Sequence, residues 1–319
     1  MSKKLAIIGA SGKLAFATLT YLLDSGLLPP DQIIATTSSE SPSSPQWTKL
    51  SDLGVTVRHA SFDSRSSIET ALKGAETLFL VSSPRIAKDF GDVQDGQGRE
   101  ADHFVALEAA AAVGVKHVYY TSLAFKRPSK AGVMRAHIST EKYLEQQLAA
   151  KGLGWTVIRE GLYNESWPLY FGHWKLGEDE RTEIEVAGEG TIPWTSIADL
   201  GTATARILTA SRKDYAGKTL YLCNRKNRRS LRDIAGLVGK ALGKDIAVKV
   251  VGREDHEKFY IEKRNMDPGL VRWWVSTYDA LRDGECDVTD DTFQRLMAEA
   301  DRSPTNMEQT VAEMTGASQ

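Results

Sequence analysis

Three small residues at fixed spacing carry the first chemical signal. Gly9, Gly12 and Ala15 lie in "LAIIGASGKLAFATLTYLLDSG", residues 5–26, between an apolar run and a helical pattern. Glycine at the first position permits a turn closed to residues with a Cβ, and glycine at the second lets the chain approach a pyrophosphate closely. Ala15 keeps the helix tight against a sheet. The free N–H groups and dipole of that helix stabilise an anion at its N-terminus. Strand, Gly-x-x-Gly-x-x-Ala and helix in this order favour dinucleotide binding over a plain turn.

The end of the second strand normally selects the dinucleotide. An acid there accepts the ribose 2′-OH of NAD, and an arginine holds the 2′-phosphate of NADP. This chain has Thr37, Ser38 and Ser39 instead. Lys13 in the turn and Arg58 near the third strand offer positive charge, and the hydroxyls can donate to phosphate oxygens. The balance leans to NADPH, with NADH left open. Lys13 reads equally well as a solvated lysine at a helix start.

Two side chains stand at helical spacing for acid–base work. His137 and Glu141 share one helix face at i, i+4. A histidine titrates near neutrality and suits a proton donor, and a carboxylate one turn on would raise its basicity. The alternative is a surface His–Glu pair on an amphipathic helix. An aromatic run, Tyr163, Trp167, Tyr170, Phe171 and Trp174, follows the sixth strand, with Trp194, Trp273 and Trp274 further on. Flat walls suit a flat acceptor, although aromatics in a loop also build cores. Tyr163 and Trp167 come directly after a strand end and are the expected substrate contacts. His173 has no partner at metal spacing, the histidines are scattered, and no metal site is expected. Cys223 and Cys286 form no CxxC pair and read as reduced thiols.

Short β-rich runs alternate with longer helical segments, the signature of βαβ units and a parallel sheet. Six strands are expected: "KLAII", "QIIATT", "VTVRHAS", "TLFLVSS", "HVYYTSL" and "WTVIRE". They make a doubly wound sheet that binds ligands beyond the carboxyl ends of its strands. The expected organisation is α/β: a Rossmann-type dinucleotide-binding domain over 1–160, and a smaller α/β lobe over 161–319, partly interleaved with it, closing a substrate cleft. The loop at 83–98 is long enough for a lid or a flexible edge, and Ser196 is placed to cap a helix. With 40 basic and 42 acidic residues among 319, the chain has no net field for nucleic acid or an anionic membrane surface. No apolar stretch approaches a membrane span and no signal-peptide pattern precedes the first strand, so a cytoplasmic protein is expected.

The stretches "IIGASGKLA", "VTVRHASFD", "LFLVSSP", "AAVGVKHVYYTSL" and above all "HISTEKYLEQQLAAKGLGWTVIREGLYNESW" resemble the NmrA-like atypical short-chain dehydrogenase/reductases, in particular their NAD(P)H:quinone oxidoreductase branch. The resemblance runs over nearly the whole chain. It implies a Rossmann domain that binds NADPH, with Gly9, Ser11, Gly12, Lys13 and Leu14 on the diphosphate. Ser82, Ser83, Thr121 and Ser122 would border the nicotinamide and its ribose, and His137, Tyr163 and Asn164 would face the substrate. Two positions depart from the family pattern: Ser38 replaces an arginine, and Glu160 replaces an asparagine, placing a carboxylate near the cleft.

The resemblance also exposes an absence. Ordinary short-chain dehydrogenases carry Tyr-x-x-x-Lys on the helix after the fifth strand, and "MRAHISTEKYLEQQL" has no such pair. Ketone reduction forms an alkoxide and needs a strong proton donor. Hydride transfer to a quinone forms a phenolate-like oxygen with pKa about 10, which water can protonate. The expected function is therefore an NADPH-dependent oxidoreductase for a quinone or conjugated carbonyl, a dedicated tailoring reductase being one form of it, with Ser122 and Asn164 donating to the developing oxyanion. The alternative is a redox sensor that binds NADP(H) without turnover and signals through a protein partner. A homodimer stays open.

Overall fold

The structure, a computed structural model, describes residues 4–42 and 44–317. Seven parallel strands form the main sheet: β1 (Lys4–Ile8), β2 (Ile33–Thr37), β3 (Thr56–His59), β4 (Ala75–Leu80), β5 (His117–Leu123), β6 (Gly154–Glu160) and β9 (Lys218–Leu222), in the order β3-β2-β1-β4-β5-β6-β9. The order reverses about β1, which opens a crevice between the carboxyl ends of β1 and β4. Four short strands pair apart from it: β7 (Glu183–Val186) parallel with β11 (Ala247–Val250), and β8 (Ile192–Pro193) antiparallel with β10 (Arg228–Arg229).

The central strands are apolar throughout because helices cover both faces. On one side lie α1 (Lys13–Asp24), α2 (Pro45–Asp52) and, from later in the chain, α7 (Ile197–Thr209). On the other lie α3 (Arg65–Leu72), α4 (Arg99–Ala112) and α5 (Met134–Tyr143). Ser196 caps α7 by accepting the Asp199 N–H, as its sequence position predicts. Gly201 lets α7 press onto α1, since a Cβ there would stand 2.7 Å from the Ala17 carbonyl carbon.

The remaining helices are α6 (Trp167–Tyr170), α8 (Arg212–Tyr215), α9 (Leu231–Leu242), α10 (Arg253–Lys258), α11 (Pro268–Arg282), α12 (Thr292–Glu299) and α13 (Met307–Thr315). A second core, built from α6, α9, α11, α13 and the β7–β11 pair, holds Trp167, Phe171, Trp194, Trp274 and Tyr278. The interleaving is deep: α7, β9 and α12 all lie beyond residue 160 yet pack into the first body. "KTLYL", in the last third of the chain, is the seventh strand of the sheet, one more than the six expected. Among the described residues, no helix is long and apolar enough to cross a membrane.

Candidate active site

The crevice beside β1 is a cleft of about 520 Å³ bordered by Gly9, Ser11, Gly12, Ser38, Val81, Ser82 and Arg85. Gly9 has φ +87°, and a Cβ on it would meet the Val81 Cβ at 3.2 Å. A Cβ on Gly12 would stand 3.2 Å from the Gly9 carbonyl oxygen. Gly12 is the N-cap of α1, no side chain caps that helix, and its first turn holds no acid. Its N–H groups are thus free for an anion, and the cradle fits a diphosphate. Lys13 is exposed at the rim, whereas the Leu14 side chain is buried beneath it.

Ser38 and Ser61 join this cleft to a polar groove that also carries Glu40, Arg58 and Lys73. Arg58 is partly committed, since its Nη1 donates to the Ala71 and Lys73 carbonyls at 2.8 and 2.7 Å. Glu40, two residues beyond Ser38, puts an acid in the groove that the reading of residues 37–39 overlooked.

At the other end, the Ser82 amide donates to Thr121 Oγ1 at 3.0 Å, tying the ends of β4 and β5 together. The Ser83 hydroxyl turns inward to Asp102 Oδ2 at 2.6 Å, which leaves Ser82 at the lip, with the buried Thr121 behind it. The segment expected as a lid or flexible edge is strapped down. Asp89 holds Arg99 at 2.7 Å and Arg135 at 2.9 Å, and Lys88 holds Asp102 at 2.6 Å. Just past Pro84 and Arg85, which line the first cleft, Ile86 lines a second pocket of about 210 Å³. Leu123, Tyr163, Leu270, Trp273 and Trp274 contribute to its walls, making it almost wholly apolar.

One family model, the NmrA-like family, matches residues 1–270 of the chain. The chain belongs to the NmrA-like family. It is 30% identical to quinone oxidoreductase 2 of Escherichia coli, over 79% of each chain. An NmrA-like family domain-containing oxidoreductase of Aspergillus flavus is 27% identical, covering 92% of this chain and 88% of that one. Among solved structures, the E. coli NADPH-dependent quinone oxidoreductase in complex with NADPH superposes with a TM-score of 0.77 at 26% identity, over 97% and 99% of the two chains. Citrobacter triphenylmethane reductase in complex with NADP(H) gives 0.76 at 25% identity, over 98% and 99%.

Within this NmrA-like chain, the residues expected to do chemistry separate into two groups. Tyr163 lines the apolar pocket, and burial together with the neighbouring carboxyls of Glu160 and Glu165 pushes its phenol well above the usual range, so it stays a hydrogen-bond donor. The others are buried and engaged. His137 does not reach the cleft: it is 2% exposed, its Nδ1 meets the Tyr120 hydroxyl at 3.0 Å, and burial depresses its pKa far below that of a free histidine. Glu141 does not pair with it. Its carboxylate instead receives Arg159 at 2.6 and 2.9 Å and the Ser122 hydroxyl at 2.7 Å. Ser122 is therefore spoken for, not free for an oxyanion. Asn164 is likewise used in holding the C-terminal segment, since its Nδ2 donates to Thr310 Oγ1 at 3.0 Å and its Oδ1 accepts from Asn227 at 3.2 Å.

Glu160 also lies outside the cleft wall. It points from β6 toward α7, accepts from Thr204 at 3.1 Å through Oε1, and leaves Oε2 without a partner. Burial raises its pKa to about 8. Trp167 is 0% exposed and packs edge-on against Phe171, so it belongs to the lobe core. Trp273 and Trp274 form the pocket wall in its place. Both come from α11, and both also pack in the lobe core, Trp274 within it and Trp273 against it. Among the described residues, no three His, Cys, Asp or Glu side chains are grouped to hold a metal ion, and both cysteines are free and buried.

Proposed function

We propose that the chain is an NADPH-dependent oxidoreductase that reduces a flat conjugated acceptor, a quinone or a closely related carbonyl. The observation that carries this reading is the adjacency of the two clefts: Pro84 and Arg85 line the one at Gly9–Gly12, and the next residue, Ile86, lines the aromatic pocket of Tyr163, Trp273 and Trp274. Relatives that bind NADPH or NADP(H), one of them a quinone oxidoreductase, support the cofactor and the reaction class.

When bound, reduced nicotinamide supplies a hydride. The residues that would hold the dinucleotide are Gly9, Ser11, Gly12 and Lys13 at the diphosphate, Ser38 with Arg58 and Lys73 toward the 2′-phosphate, and Ser82 and Thr121 at the nicotinamide end. This chain's own work at the acceptor is modest. The apolar walls stack a ring and exclude water, and the Tyr163 hydroxyl donates to the oxygen on which negative charge collects. No strong acid is needed, because a hydroquinone oxygen is about as acidic as tyrosine, near pKa 10. The loss of Tyr-x-x-x-Lys and the engagement of His137 and Ser122 are both consistent with such an acceptor.

The test follows nicotinamide fluorescence in one cuvette. NADPH is added to the purified protein, then benzoquinones, naphthoquinones, conjugated enones and saturated ketones in turn. The signal should shift on mixing and decay with the conjugated acceptors alone. A shift without decay for every acceptor would leave a dinucleotide-binding sensor, and oxidation by saturated ketones would refute the acceptor class.

A further inference from the structure

Two buried histidines that lie outside the reactive cleft are linked into one hydrogen-bonded unit. His103 on α4 accepts the Ser83 main-chain N–H at Nε2, 2.8 Å away. A backbone amide can only donate, so that nitrogen carries no proton. Burial foremost, then the nearby cations Arg99 and Lys88, keeps the ring neutral, and its proton therefore sits on Nδ1. Thr140 Oγ1 lies 2.8 Å from that Nδ1 and gives its own proton to the Ala136 carbonyl, so it accepts from His103.

The Tyr120 hydroxyl has three polar neighbours, His103, His137 and Thr140. It is 3.3 Å from His103 Nδ1, which is occupied by a proton, and 3.0 Å from His137 Nδ1. It donates to His137, whose ring is also kept neutral by burial and by Arg99, and whose proton accordingly sits on Nε2. The other polar neighbour of that ring is the main chain of Thr121. Thr121 Oγ1 in turn accepts the Ser82 amide at 3.0 Å. The contacts thus run from Ser83, past the end of β4, through His103 on α4 and Tyr120 to His137 on α5, beside Thr121 near the end of β5.

We infer that His103 and His137 are positioning residues, locked in opposite tautomers, which set the shape of the Ser82–Ser83 turn and of Thr121 for the nicotinamide end of the cleft. This rests on the cofactor reading above only for the identity of what the turn receives. The His103 tautomer follows from the Ser83 N–H, which can only donate, and that of His137 from the pairing of its second nitrogen with the Thr121 main chain. Asp102 completes the arrangement by receiving the Ser83 hydroxyl at 2.6 Å and Lys88 at 2.6 Å, so the amide and the hydroxyl of Ser83 are both held by α4.

The experiment uses the full-length protein without cofactor. Long-range proton–nitrogen NMR of the imidazoles should place His103 in the Nδ1–H form and His137 in the Nε2–H form, with neither titrating near pH 6.5. Tyr120→Phe removes one oxygen and should free His137 from its fixed tautomer while leaving His103 unchanged. NADPH affinity, read by fluorescence, should weaken at least tenfold in His103→Leu and several-fold in Tyr120→Phe. His103→Gln, whose amide oxygen can accept the Ser83 N–H, should restore most of the loss. The same tautomer in both rings, or a rescue variant no better than His103→Leu, would overturn the inference. Should His103→Leu fail to fold, the tautomers and the Tyr120→Phe affinity decide it. Absence of NADPH binding by the wild-type protein would refute the functional reading instead, and the tautomer pattern would still decide this one.

Discussion

Glu160→Gln should stabilise the protein at neutral pH and change little in mild acid. The wild-type carboxyl is fully buried at the end of β6, with a single hydrogen bond from Thr204 and one oxygen unpaired. Burial outweighs that hydrogen bond and lifts its pKa to about 8, against about 4.3 for a glutamate in an unfolded chain. A raised folded pKa means that the folded state retains a proton which the unfolded state has released. The stability is therefore fully present below about pH 4.3 and declines as pH rises toward 8. At pH 7 the loss is on the order of 3 kcal/mol, and at pH 5 about 1 kcal/mol. Glutamine keeps the acceptor for Thr204 and cannot ionise. Its amide N–H takes the unpaired place that an acid O–H occupies in the wild type, so that penalty is common to both. The variant should gain about 2 kcal/mol more at pH 7 than at pH 5, or roughly 3 °C in Tm for a chain of this size. Urea unfolding followed by tryptophan fluorescence at pH 5, 6, 7 and 8 measures the difference. Curves separated by the same free energy at every pH would refute the reasoning.

Three further outcomes follow from the site and the core. Tyr163→Phe should lower kcat with quinones about tenfold, the loss of one donor of roughly 1.5 kcal/mol, while the NADPH dissociation constant stays within twofold; steady-state kinetics and fluorescence titration separate the two. Gly12→Val places branched methyls over the diphosphate cradle and should abolish NADPH binding, with a circular dichroism spectrum like that of the wild type. His117 and His256, whose pKa values burial lowers to about 4, should weaken the fold in acid. Their stability is complete above the unfolded pKa near 6.5 and is lost as pH falls toward 4, by about 1.4 kcal/mol per pH unit for each ring; the variant His256→Phe should flatten that part of the acid-unfolding profile.

The cradle was legible in the sequence because its determinants are local. A strand, two glycines three apart and an amphipathic helix specify a backbone shape with little help from the rest of the chain, and Gly9 and Gly12 stand where that pattern puts them. The sheet was legible for a related reason, since strands buried on both faces read as apolar runs. "KTLYL" too reads as a strand, but its place beside β6 was not legible, because α7 and the lobe's first elements separate the two in sequence.

The polar residues at the strand ends were harder to place, and β6 and α5 show why. The i, i+4 rule correctly put His137 and Glu141 on one face of α5, but spacing says nothing about what that face meets. It meets β5 from behind, where Tyr120 and Ser122 wait as partners. Along β6, consecutive side chains point to opposite faces, so Arg159 reaches Glu141 under α5 while Glu160 points to Thr204 under α7. Two ionisable residues closing an apolar strand look like chemistry in a sequence, and in the fold they are internal. The division makes physical sense for the acceptor proposed here. A reaction that ends on a weakly basic oxygen asks little acid–base work of the protein, but hydride transfer depends steeply on how the two rings are placed. Polar side chains at the carboxyl ends of β4, β5 and β6 are accordingly spent on fixing the strand ends around the cleft, and the pocket itself is left almost wholly apolar, with Tyr163 in its wall.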